Sequence, residues 1–84
     1  MKVYVLTVTE DDFQDVSVFK SKKSLIKNVK ADLADRYHFD TDEPYITKEE
    51  LEAKQAEAEK SLLEDECWED DGTTYRMDAA ELED

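Results

Sequence analysis

The chain has 84 residues, 42 % of them charged and 39 % hydrophobic, with a formal charge of −13, one cysteine and eight aromatic residues. This length leaves room for one core, residues 1–84 forming a single domain, and the aromatic content exceeds that of an acidic disordered segment. One cysteine excludes an internal disulfide, and the negative charge opposes direct contact with nucleic acid or an anionic membrane.

The opening "KVYVLTVT" (2–9) alternates β-branched and aromatic residues as a strand does. "EDDFQD" reads as a polar connection, and "VSVF" (16–19) alternates again, so the two segments predict an antiparallel hairpin with a longer loop. The apolar run is too short for a secretory signal, and no segment reaches transmembrane length, so a cytoplasmic location is expected.

From about 22 to 37 the period changes. Leu25, Ile26, Val29, Leu33 and Tyr37 form one apolar stripe behind a Ser21 N-cap, and Lys22, Lys23, Lys27 and Lys30 form a basic face. That face is open to pairing with acids within the chain or across a homodimer. A connector, "HFDTDEPY", leads to a second helix at about 48–65. Thr47 and Glu50 fit a capping box, and Ile46 and Leu51 fit a hydrophobic staple. Its apolar stripe is thin: Leu51, Ala58 and Leu62, with Gln55 between.

Asp71-Gly72 then predicts a two-residue hairpin turn, since both positions favour positive φ. The turn places Asp70 opposite Thr73, Glu69 opposite Thr74, and Trp68 opposite Tyr75, and predicts a late strand at 73–79 with "AAELED" as a tail. Trp68 is thus either an anchor under the sheet or an apolar contact at a partner surface. The fold class is α+β: an antiparallel sheet of three or four strands covered by two helices. Leu25, Val29, Leu33, Tyr37, Leu51 and Leu62 are the expected helical core.

Chemistry is hard to place on these residues. With Gly72 at the sixth position of a calcium loop, Cys67 falls at the first, where a carboxylate is required. Zinc would have one cysteine and one histidine, His38, for four ligands. Cys67 lies among Glu66 and Glu69, which disfavour a thiolate nucleophile. "EAK" (52–54) has the Glu-x-Lys spacing of some nucleases but lies within the second helix. One glycine cannot build a phosphate loop. No enzymatic activity, metal or cofactor is expected.

The acids themselves are the unexplained feature. Residues 1–39 carry +1 and residues 40–84 carry −14. Glu50, Glu57 and Glu64 repeat every seven residues, as do Glu52, Glu59 and Glu66, which spaces each row by about 10 Å along a helix. Asp65, Glu69, Asp70 and Asp71 continue the charge into the hairpin. Such self-repulsion costs stability beyond what solubility needs, and it suits a rigid array offered to a basic groove.

In size, charge and acids displayed over residues 43–71, the chain resembles the DNA-mimic proteins of bacteriophages and mobile elements. The resemblance implies a non-catalytic inhibitor that occupies the basic surface of a nucleic-acid-binding protein. The partner-facing set would be Glu50, Glu52, Glu57, Glu59, Glu64, Asp65, Glu66, Trp68, Glu69, Asp70 and Asp71. Separately, "KVYVLTV…VSVFKSKKSLIKNV" resembles small uncharacterised bacterial and phage proteins in which a β-hairpin leads into a helix and a late strand completes the sheet. The alternative function is a small interaction or regulatory module whose acidity serves solubility.

Overall fold

The computed structural model describes residues 1–39 and 41–82. In chain order these form β1 (Lys2–Glu10), β2 (Phe13–Phe19), α1 (Lys22–Arg36), α2 (Lys48–Asp65), β3 (Cys67–Asp70) and β4 (Thr73–Glu81). The strands make one antiparallel sheet in the order β2-β1-β4-β3, and the α+β architecture is the expected one.

The first hairpin is tighter than its sequence suggests. Glu10 pairs with Phe13, so the turn is only Asp11-Asp12, and Phe13, Gln14 and Asp15 belong to the strand instead of a longer loop. The reason is position. β2 is an edge strand, and residues 13–16 are exposed, so no face there demands apolar alternation. The ladder to β1 holds the segment extended. β4 likewise runs past residue 79 to Glu81, which pairs with Lys2. Glu83 and Asp84, the end of the expected tail, lie outside the described residues.

The second hairpin follows the sequence. Trp68 pairs with Tyr75, Glu69 with Thr74, and Asp70 with Thr73. Asp71 and Gly72 have φ of 46° and 81°. A Cβ on Gly72 would meet nothing within 4 Å, so the glycine serves the backbone angle and not a tight space.

Both helices start on side-chain caps. Ser21 Oγ accepts from the Ser24 N–H at 3.1 Å. Thr47 Oγ1 accepts from the Glu50 N–H at 3.1 Å, while Glu50 Oε1 accepts from the Thr47 N–H at 3.2 Å. Ile46 packs on the core beside buried Leu51, completing the staple. α1 stops at Tyr37, a C-cap, so its last residue is Arg36. α2 stops at Glu66, whose left-handed backbone (φ 62°) lets its N–H reach the Leu62 carbonyl at 3.1 Å.

The helices lie on one sheet face. Leu6, Val8, Trp68, Tyr75 and Met77 from the strands meet Leu25, Ile26, Val29 and Leu33 from α1 and Leu51, Ala58 and Leu62 from α2. Of the expected helical core, only Tyr37 is half-buried, because its hydroxyl is drawn to the polar end of the sheet. The opposite sheet face carries Val5, Thr7, Val16, Val18, Thr74, Arg76 and Asp78, and neither described helix covers it.

Candidate partner-binding surface

Helical geometry puts the two glutamate rows of α2 on opposite flanks of its buried stripe, Leu51, Ala58 and Leu62. Glu50, Glu57 and Glu64 lie on the flank toward β3. Lys54 and Ser61, between that row and the buried stripe, fix the orientation: Lys54 Nζ bonds Asp70 Oδ1 at 2.6 Å, and Ser61 Oγ donates to the Cys67 carbonyl at 2.6 Å. Glu52 and Glu59 lie on the flank toward α1, where the lysines are, while Glu66, third of that row in sequence, is the left-handed C-cap and falls outside the helix. Glu59 pairs with Lys30 at 2.8 Å, and Gln55 donates to the Lys30 carbonyl at 2.9 Å.

The acids therefore fall into two groups. Glu59 and Asp70 are committed within the fold, to Lys30 and to Lys54. Eight others, Glu50, Glu52, Glu57, Glu64, Asp65, Glu66, Glu69 and Asp71, are exposed and have no ion-pair partner among the described residues. Trp68 is 6 % exposed and stacks on Tyr75 with centroids 5.8 Å apart, so it is the sheet anchor and has no surface to offer. Its Nε1 has no hydrogen-bond partner among the described residues.

A second polar arrangement, which the sequence did not single out, closes the end of the sheet where both hairpin turns lie. Arg36 joins Glu10 and Asp32, its Nε reaching Asp32 Oδ2 at 2.7 Å, and the Tyr75 hydroxyl donates to the same carboxylate at 2.6 Å. Beside it, Asp70 accepts from the Tyr37 hydroxyl and from Lys54, whose ammonium lies 5.3 Å from the Tyr37 ring centre. Of these, Glu10, Arg36, Tyr37, Asp70 and Tyr75 wall a cleft of about 370 Å³ together with Asp11, Tyr45 and Asp71.

Burial, and then the Asp32 carboxylate, push the Tyr75 hydroxyl well above the usual tyrosine range. Burial and Asp70 raise Tyr37 in the same way. Burial would raise Asp70, but the bonds from Lys54 and Tyr37 outweigh it and hold its carboxyl below the ordinary 3.8. Each acid thus faces a cation or a neutral phenol, which makes the arrangement a brace between α1, α2 and the two hairpins. Only the Asp32/Arg36 spacing of four residues was visible in the sequence.

Among the described residues, no group of three or more His, Cys, Asp or Glu side chains is placed to hold a metal ion. None of the described helices is long and apolar enough to cross a membrane. Comparison with protein-family models, with curated proteins and with solved structures finds no match for this chain.

Proposed function

We propose that this chain is a non-catalytic binding protein whose α2 flank and adjoining β3 edge occupy the basic, nucleic-acid-binding surface of another protein. The observation that carries this reading is the set of eight exposed carboxylates, without an ion-pair partner among the described residues, that runs from Glu50 on a capped helix to Asp71 at the hairpin turn after it. Lys48, Lys54 and Lys60 are the cations of α2, and Lys54 is already bound to Asp70.

The spacing supports mimicry of a phosphate strand. Seven residues at 1.5 Å give about 10.5 Å between carboxylates, against roughly 10.2 Å for three base-pair rises of duplex DNA. The scaffold is fixed by the capping box and by the stripe of Leu51, Ala58 and Leu62, so little backbone order remains to be imposed on binding. Trp68 and Asp70 hold the frame, Glu57, Glu64, Asp65 and Asp71 face outward beside α2, and Glu69, opposite Thr74, lies on the sheet face away from the helices.

The test is capture from bacterial lysate on the immobilised protein at low and at high salt, followed by competition with duplex DNA for the captured protein. The expected result is a nucleic-acid-binding protein released by salt, displaced by DNA, and lost on Glu57→Lys with Glu64→Lys. A partner indifferent to salt and to those reversals would overturn the reading. The acids would then serve the solubility of a small interaction module.

A further inference from the structure

The uncovered sheet face differs from the rest of the molecule. Its strand residues include Val5, Thr7, Val16 and Val18, and its few charges are Arg76, Asp78 and Glu69, of which Arg76 and Asp78 are within 3.9 Å of each other. Val16 and Val18 are 56 % and 60 % exposed. On a chain with a net charge of −13, this is close to an uncharged surface. An antiparallel sheet with one wet face ordinarily alternates apolar-in with polar-out, and here the outward positions are filled by valine and threonine.

We infer that this face is the seam of a homodimer, two copies packing sheet on sheet. Charge selects the occupant. A second copy meeting any acidic face would be repelled, whereas here two nearly neutral surfaces meet, and across a two-fold axis Arg76 of each can approach Glu69 or Asp78 of the other.

Area sets the strength. Strands of nine, seven, four and nine residues, about 4.8 Å apart and rising about 3.4 Å per residue, cover roughly 470 Å², so the two copies would bury on the order of 950 Å² together. That lies at the low end for specific association and gives a weak, reversible dimer. The acidic helices would point outward from both sides.

The experiment is sedimentation equilibrium of the full chain from about 10 μM to 1 mM, at low and at high salt. The expected result is a monomer–dimer equilibrium that tightens with salt, because salt screens the repulsion between copies. Val16→Asp with Val18→Asp should weaken it by about a hundredfold or more, since each change counts twice in a two-fold interface. Both side chains are exposed in the monomer, so the variant should keep its fold, checked by circular dichroism.

A chain that stays monomeric at 1 mM in high salt would overturn the inference. So would a dimer untouched by the valine changes. A dimer that salt dissolves and Lys23→Glu with Lys27→Glu abolishes would also refute it, placing the contact on α1.

Discussion

Replacing Asp70 with asparagine tests whether the brace at the sheet end holds the acidic hairpin to α2. Asp70 keeps 14 % of its side chain exposed and Lys54 30 %, at 2.6 Å, so the pair is largely removed from water. The amide would preserve shape but not charge. A charge-assisted hydrogen bond contributes about 1.5–3 kcal/mol net, and Lys54 can partly recover by turning toward solvent, so the expected loss is about 2 kcal/mol. For a domain of this size that lowers Tm by roughly 8–16 °C. Urea unfolding followed by the fluorescence of buried Trp68 measures it directly.

The effect has a pH signature. Asp70 is held below the ordinary 3.8, so its stabilisation is complete above that value and is lost as pH falls through the folded-state value. The gap between the native chain and Asp70→Asn should therefore be widest above about pH 5 and close in stronger acid. A gap under about 0.5 kcal/mol at pH 7, or one that persists at low pH, would show that the contact does not support the fold.

Two other substitutions probe the same hairpin. Trp68→Phe removes an indole N–H that has no partner among the described residues while keeping an aromatic against Tyr75, so it should cost under about 1.5 kcal/mol; Trp68→Ala should cost about 3–5 kcal/mol, both read by circular dichroism melts. Glu66→Gly should raise stability by about 1 kcal/mol in urea titrations, because a β-carbon is disfavoured at φ 62°. If Glu66 also contacts the basic partner, the same variant should bind it less tightly.

Elements governed by neighbours in sequence were legible in the chain. Ser21, Thr47 and Glu50 announced helix starts, and Asp71-Gly72 set a turn whose register put Trp68 against Tyr75, because caps and tight turns depend on a few adjacent residues. The start of β2 was hidden because residues 13–16 lie on an exposed edge, where nothing selects a pattern. The stop of α2 at Asp65 was read where it falls, but not the backbone that makes it: Glu66 occupies a shape usually announced by glycine.

For the site, the heptad rows of acids were visible, since helix geometry alone fixes them. Which acids are spent internally was not. Asp70 meets Lys54 and Tyr37, and Glu59 meets Lys30, only after the sheet and helices have assembled. The buried position of Trp68 was likewise one of two open readings until the helices were laid over β3.

The strand order β2-β1-β4-β3 has a kinetic corollary. The two central strands, β1 and β4, are separated by the whole helical segment, with Lys2 opposite Glu81 and Thr9 opposite Thr74. Closing that distance costs loop entropy before any ladder bond rewards it, so the sheet centre should form late and slowly. During synthesis, the hairpin of β1 and β2 would wait with β1 unpaired along one side until β4 emerges. The β1 edge facing β4 would stay without a ladder for that interval, so a ribosome paused before residue 73 would hold a chain able to pair with its neighbours.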